Sequence, residues 1–342
     1  MYVERSSPKA ARYPVQAKPG PSPCRGGAGR GVKEDGKEVS MALAERVAEN
    51  LYILDTGMLG LERYGALYIL KAPKVAIIET GFSHTAEKTL QALDELKIRP
   101  QDVAYILPTH VHLDHAGGTG HLAEACPNAK VIVHEQGAPH LIDPTKLLES
   151  VQRAVGPMFP FYGTLKPTPK ERVLPVRGGE VFNLGDGYEI EVIAAPGHAP
   201  HQVCFFERKL KGLFTADAAG IYRPWAAGLL LTTPPPAFHL EQSLETLARL
   251  KALQPKLLLY THWGAHTDIT LLDQYAQMLQ RWVAEIEQAK KTLHDDQAVK
   301  EHFVQKETPS LVEHYPELIL RGEIEMNVQG VLLYLKKVRG IA

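Results

Sequence analysis

The run Thr109-His110-Val111-His112-Leu113-Asp114-His115 gathers three imidazoles and a carboxylate into six consecutive positions, directly after the apolar stretch Val103 to Leu107. Grouped this tightly, such side chains are costly to bury unless a cation holds them. In extended backbone, side chains two positions apart point the same way, so His110 and His112 can grip one cation from one side. Asp114 and His115, displaced by a turn of the backbone, are free to face a second. Neutral imidazole with carboxylate suits zinc or iron. The feature therefore demands a fold that delivers this loop rigidly from the end of a buried strand.

Composition narrows the remaining choices. The chain has 342 residues, of which 44% are apolar and 23% charged, as in an ordinary globular protein of one large or two smaller domains. Lys plus Arg number 38 against 39 Asp plus Glu, a net charge of -1, so no global field recruits nucleic acid or an acidic membrane. The three cysteines, Cys24, Cys126 and Cys204, are far apart and odd in number. They argue against a disulfide framework and for a reducing compartment, and a cytoplasmic location is expected. No apolar run has the length of a membrane span, and the N-terminus lacks the apolar core of a secretory signal.

Residues 1–42 are rich in Pro, Gly, Ser and basic side chains, as in Lys18-Pro19-Gly20-Pro21-Ser22-Pro23 and Arg25-Gly26-Gly27-Ala28-Gly29-Arg30. Such composition predicts a disordered tail, or a region translated ahead of a start at Met41. An organelle-targeting segment is the sharper alternative, disfavoured because Pro and Gly spoil an amphipathic helix.

From Asn50 onward strands and helices alternate. Leu51 to Leu54, Ala66 to Leu70 and Val75 to Ile78 read as a meander, and Ala86, Leu90, Leu93 and Leu96 recur at helical spacing. Val103 to Leu107 is the strand that delivers the histidine cluster. Ala116 to Ala125 reads as one helix and Lys130 to His134 as a strand. Glu189 to Ala194, Val203 to Phe206, Leu213 to Ala216 and Leu257 to Tyr260 are further strands, with a helix from Leu240 to Leu253. The pattern is α/β (α+β), sheets covered by helices. Leu272, Tyr275, Leu279, Trp282 and Ile286, then Ile324, Val328, Val331, Leu335 and Val338, mark two amphipathic helices. They are expected to pack against the sheet domain as a C-terminal appendage, with a partner-binding face as the alternative.

Three more ligand candidates sit where strands end: His198 in Ala195-Pro196-Gly197-His198, Asp217 in Phe214-Thr215-Ala216-Asp217, and His262 in Leu259-Tyr260-Thr261-His262-Trp263-Gly264. Alone, each has an ordinary explanation, a loop histidine or a helix-capping aspartate. Together they describe ligands gathered from successive strand ends, which is how a rigid scaffold builds a metal site.

The ordered set, a His-x-His-x-Asp-His cluster followed by Pro-Gly-His, Ala-Asp and a strand-ending His, resembles the metallo-β-lactamase superfamily, and specifically its glyoxalase II-like branch of metal-dependent hydrolases. The resemblance covers about residues 48 to 266. It implies a four-layer αβ/βα sandwich with metals at one edge between two sheets. Residues 43–268 would form that domain and residues 269–342 the helical C-terminal region. It also implies that His110, His112 and His198 hold one metal, that Asp114, His115 and His262 hold a second, and that Asp217 bridges them. Two features depart from the pattern. Ile78-Glu79-Thr80-Gly81 carries Glu79 where an aspartate usually supports the ligands, and His201 adds a histidine, read as a loop or supporting residue rather than a further ligand.

Two divalent cations about 3.5–4 Å apart, zinc first and iron or manganese as alternatives, would supply a bridging hydroxide as nucleophile for an ester, lactone or thioester. Asp114 is the expected proton shuttle. Tyr222 is the candidate donor to a developing oxyanion, with Trp225 beside it. The segment between His134 and Val181 carries Leu141, Ile142, Leu147, Leu148, Val151, Val155, Met158, Phe159, Phe161 and Tyr162. So apolar an insertion predicts either a lid favouring an apolar acyl or aryl group, or a helix packed on the C-terminal region. A glyoxalase II proper would need a cationic glutathione pocket, for which Lys290, Lys291 and Arg321 are the candidates. The rivals are a mononuclear iron persulfide dioxygenase-like enzyme, a phosphodiesterase, phosphotriesterase or RNA-processing nuclease, and a binding protein with a vestigial site. The expected partner is a small-molecule substrate, with no nucleic acid and no membrane; a homodimer is left open.

Overall fold

The computed structural model describes residues 42–224, 228–311 and 317–341. The expected tail, save Ala42, and Trp225 lie outside the described residues, and so do the side chains of Val155 and Met158.

The first sheet begins as an antiparallel meander of β1 (Ala44–Ala48), β2 (Leu51–Asp55), β3 (Ala66–Leu70) and β4 (Val75–Ile78). Helix α1 (Thr85–Glu95) then crosses to β5 (Val103–Leu107), parallel to β4. Helices α2 (Leu113–Ala116) and α3 (Thr119–Ala125) lead to β6 (Lys130–His134), and α4 (Ala138–Ile142) and α5 (Thr145–Val155) to β7 (Val173–Val176), again parallel to their predecessors. The strand order is sequential, β1 to β7.

The second sheet opens with the antiparallel strands β8 (Val181–Gly185), β9 (Tyr188–Ala194), β10 (Val203–Glu207) and β11 (Gly212–Phe214). A two-stranded ribbon of β12 (Ile221–Arg223) and β13 (Gly228–Leu230) follows, and then α6 (Leu240–Ala252). Strand β14 (Leu257–Leu259) pairs parallel to β11, and β15 (Ala265–His266) closes that edge. The chain continues into α7 (Leu271–Leu293), α8 (Asp296–Leu311) and α9 (Glu317–Val338).

Period-two alternation on these strands decides which core each side chain enters. Tyr68, Leu70, Ala76 and Ile78 of the first sheet meet Ile190, Val192, Phe205 and Phe214 of the second in a core between the sheets. The intervening residues Leu67, Ile69, Val75 and Ile77 pack outward against Ala92 and Leu93 of α1 and Leu122 of α3. On the far face of the second sheet, Cys204, Phe206, Leu213 and Leu258 share one core with Leu247 and Leu250 of α6, Leu279 and Trp282 of α7, Phe303 of α8 and Val328 and Val331 of α9. The result is the four-layer αβ/βα sandwich. With both faces covered, β3, β4 and β10 are buried along their whole length, which is why β3, β4 and Val203 to Phe206 of β10 read as continuous apolar runs. Each fully buried Phe or Leu contributes about 1.5–3 kcal/mol. Cys126 and Cys204 are buried and unbridged. Among the described residues, no helix is long and apolar enough to cross a membrane.

Three local readings are corrected. The single helix expected over Ala116 to Ala125 is two, α2 and α3, broken at Gly117-Gly118. A Cβ on Gly118 would stand 2.5 Å from the Thr80 carbonyl, so the glycine lets this turn lie against the end of β4. The strand expected to Ala216 stops at Phe214, because Ala216 takes a left-handed conformation (φ 45°) that swings Asp217 out of the sheet. Among the described residues the C-terminal region holds three helices rather than two. Helix α8 was missed because its inward residues, Val299, Phe303 and Val304, are too few to make a periodic stripe.

Candidate metal centre

Every ligand candidate leaves the carboxyl end of a strand at the same edge of the sandwich. His110 follows β5, and His112 caps α2 in extended backbone (φ -62°, ψ 147°), so the two rings share one side as the alternation requires. The short helix α2 then turns Asp114 and His115 elsewhere. His198 follows β9, Asp217 follows β11 and His262 follows β14.

Two triads result. His110 Nε2 lies 2.9 Å from His112 Nδ1, and His198 Nε2 lies 3.2 Å from that same atom. In the second triad, Asp114 Oδ2 lies 3.5 Å from both His115 Nε2 and His262 Nε2. Asp217 stands between: its Oδ2 is 3.3 Å from His198 Nε2, and its Oδ1 is 3.4 Å from His115 Nε2 and from His262 Nε2.

The groups behind the rings fix which nitrogen carries the proton. Glu79, a carboxylate, accepts the Thr109 hydroxyl at 2.6 Å, so that hydroxyl oxygen accepts from His110 Nδ1–H at 3.1 Å. His115 Nδ1–H donates to Glu79 Oε1 at 2.9 Å, His262 Nδ1–H to the Tyr64 carbonyl at 3.2 Å, and His198 Nδ1–H to Thr232 Oγ1 at 3.3 Å. All four imidazoles therefore turn an Nε2 lone pair inward. Lone pairs facing each other at about 3 Å repel unless a cation lies among them. Nitrogens on a tetrahedral zinc with bonds of 2.0–2.1 Å stand about 3.3 Å apart, close to the spacing here. His115 Nε2, His262 Nε2 and Asp217 Oδ1 are buried with no hydrogen-bond partner, as ligand atoms awaiting a cation would be. The five histidines and two aspartates fit a pair of metal ions.

Electrostatics agree. Burial lowers the pKa of His110, pulls His112 down to about 4 and His198 to about 3, so these rings are neutral and able to ligate. Burial opposes charge on Asp217 too, but His115, His198 and His262 outweigh it and hold the carboxyl well below its ordinary range. His115 differs: burial is overcome by Glu79, Asp114 and Asp217, which raise its pKa, so a cation binding there has to displace a proton from this ring.

The model of the metallo-beta-lactamase superfamily matches residues 66–262. A Sulfurisphaera tokodaii protein described as metallo-beta-lactamase fold-containing protein ST1585 is 30% identical over 236 residues, covering 68% of this chain and 85% of its own. The chain belongs to the metallo-β-lactamase superfamily. The solved structure of ST1585, an archaeal member from Sulfolobus tokodaii, superposes with a TM-score of 0.63 at 25% identity, over 83% of this chain and 98% of that one. The superfamily protein TTHA1429 of Thermus thermophilus shares the fold, with a TM-score of 0.63 at 22% identity, over 85% and 95%. Diflavin flavoprotein A 1 of Synechocystis is 25% identical over 156 residues, 45% of this chain and 23% of its own much longer one.

In this superfamily member Glu79 does the supporting work expected of a carboxylate at that point. It is buried in a left-handed conformation (φ 67°), a strained state for a residue with a Cβ. Besides Thr109 and His115 it accepts the Thr261 hydroxyl at 3.0 Å, tying the loops after β4, β5 and β14 together. His201 stands outside both triads, its ring centre 6.2 Å from that of His110 and 6.1 Å from that of His112. Tyr222 stacks on His266 at 3.9 Å between ring centres and lies 5.8 Å from Tyr260. A second phenol, Tyr162, comes from the apolar insertion. Burial, then the charges of Asp114 and Glu323, push it up to about 12. Its ring tilts against Phe82 at 4.7 Å, while Leu147, Val151 and Leu165 of the same insertion pack on the core that includes the C-terminal helices. The insertion thus packs on the C-terminal side. Sequence reading missed Tyr64 and Thr232 as supports for His262 and His198; neither belongs to a motif, and only the fold brings them behind the rings.

Proposed function

We propose that this protein is a dinuclear metal-dependent hydrolase of the glyoxalase II-like kind, cleaving an ester, lactone or thioester with an apolar acyl or aryl group. The observation that carries the reading is Asp217, whose two oxygens reach one triad each at 3.3 and 3.4 Å. His110, His112 and His198 would hold one ion, Asp114, His115 and His262 the other, and zinc is the ion this donor set suits first, with iron or manganese able to use the same donors. Bound there, two divalent cations supply Lewis acidity toward a carbonyl oxygen and bring the pKa of water from about 16 toward 7.

The chain's own residues set where reaction occurs. Asp217, His115 and His262 side chains are at most 5% exposed, whereas Asp114 is 29% exposed, so the open face of the centre lies over Asp114. Its carboxylate takes up a proton on that face and returns it to the leaving group. Phe82 and Tyr162 share an apolar cluster with Leu113, the neighbour of Asp114, and would wall that face with one hydroxyl, which supports an acyl or aryl substrate over a phosphodiester. The cations weighed for a glutathione pocket are engaged by the chain's own carboxylates: Lys290 by Asp296 at 2.7 Å, Lys291 by Glu287 at 2.6 Å, and Arg321 by Glu301 at 2.6 Å. That favours substrates without a glutathionyl group.

The test is metal analysis of the purified chain alongside a screen of lactones, aryl esters, thioesters and phosphodiesters. Two metals per chain with turnover of an apolar ester, lactone or thioester supports the reading. One iron per chain with oxygen uptake, or turnover of phosphodiesters alone, overturns it.

A further inference from the structure

Helix α9 reaches the back of both triads through one face. Glu323, Asn327 and Gly330 are spaced four and three apart, which aligns them along the helix. At the first position, the Tyr64 hydroxyl donates to Glu323 Oε1, and Arg223 Nη2 lies 3.6 Å from the same oxygen. Arg223 is fully buried, lies over the Tyr64 ring at 3.5 Å, and donates through Nη1 to the Tyr64 carbonyl. That carbonyl is the acceptor for His262 Nδ1–H. At the second position, the Asn327 amide clamps the strand-like segment after β13, accepting from Thr233 N at 2.6 Å and donating to Leu231 O at 3.3 Å. Between the clamped residues stands Thr232, whose hydroxyl receives His198 Nδ1–H. At the third, a Cβ on Gly330 would lie 1.9 Å from the Thr233 carbonyl, so the glycine permits this approach. Tyr275 and Trp282 of α7 complete the clamp, bonding Thr232 and Thr233 at 3.3 and 3.2 Å.

We propose that α9 positions one ligand of each metal site, Glu323 acting on His262 through Arg223 and Tyr64, and Asn327 acting on His198 through Thr232. Removing Glu323 takes away the acceptor of the Tyr64 hydroxyl and an ion-pair partner of Arg223, loosening the residue whose carbonyl holds His262; removing Asn327 frees the segment that aims His198. Neither residue touches substrate. Both are positioning residues, and the proposal rests on the dinuclear reading above.

The experiment titrates chelator-stripped full-length protein with zinc, following affinity by competition with a chromophoric chelator. Glu323→Gln and Asn327→Ala are each placed in a His198→Ala background, which keeps the Asp114 site, and in a His262→Ala background, which keeps the His110 site. The expected pattern is crossed. Glu323→Gln weakens zinc about 10–100-fold in the His198→Ala background and less than about threefold in the other, and Asn327→Ala does the reverse. Glu323→Asp and Asn327→Asp, which keep the acceptors, recover part of the loss and serve where the first variants fold poorly. A helix that only contributes packing would lower the melting temperature of the metal-free protein and leave the affinities uncrossed, which overturns the proposal. Fewer than two zinc ions on the unaltered chain would instead overturn the dinuclear reading.

Discussion

Glu79 Oε1 accepts the Nδ1 proton of His115 at 2.9 Å, with both side chains shut off from solvent. The same oxygen receives the hydroxyls of Thr109 and Thr261, so one carboxylate orients a candidate ligand and fastens the loops that carry His110, His112 and His262. In Glu79→Gln one oxygen can still take the donors at Oε1, but the amide N–H then faces the Thr109 N–H that the second carboxylate oxygen accepts at 3.2 Å, and the buried negative charge is gone. It should lower metal affinity about 10–100-fold and cost about 3 kcal/mol of stability, because His115 loses the negative charge buried beside it. Zinc titration and thermal melts of the metal-free protein check both; unchanged affinity would show that Glu79 does not orient His115.

Asp114→Asn keeps a ligating oxygen but gives up proton transfer. Both metals should stay bound while kcat falls about 10²–10⁴-fold. Metal content measured beside turnover decides it, and full activity with full metal would remove Asp114 from the proton path.

Gly197 precedes His198 with φ 137°, and a Cβ there would stand 2.4 Å from Ser243 Oγ and 2.5 Å from its backbone nitrogen. Gly197→Ala therefore combines backbone strain with overpacking against α6, each costing about 1–3 kcal/mol, and it displaces His198. Binding at the His110 site should weaken more than at the Asp114 site. Equal affinity at both would show that the loop does not aim the ring.

Tyr162 and Tyr222 divide the role first given to Tyr222. Tyr162 lies in the field of Asp114, whereas Tyr222 stacks on His266. Tyr162→Phe should lower kcat/KM about tenfold, the worth of one hydrogen bond, and Tyr222→Phe less than about threefold. Steady-state kinetics of the two variants on one ester settles the order, and the reverse ranking returns the role to Tyr222.

The candidate ligands, which the fold brings together, were legible because a metal site ties residue type to a strand end, and both signals lie within a few residues: His110 and His112 at alternating positions, His198 after Pro196-Gly197, Asp217 and His262 each just past an apolar run. The layers were legible because β3, β4 and Val203 to Phe206 of β10 are apolar runs, as strands buried on both faces tend to be. What escaped depends on contacts between distant segments. Glu323 and Arg223 are a hundred positions apart, and on α9 the glutamate reads as one more solvated charge. Thr232 is an ordinary threonine until the fold sets it behind His198. Tyr162 was visible only as part of an apolar stretch, and nothing local distinguishes its hydroxyl from that of Tyr222.

The dinuclear centre is tested most directly by counting the zinc ions that chelator-stripped protein takes up, for the unaltered chain and for Asp217→Ala. Two ions per chain should fall to one or none in the variant, with kcat/KM reduced at least about 100-fold. A single ion on the unaltered chain, or two ions held as tightly without Asp217, would contradict a pair of sites joined by that carboxylate.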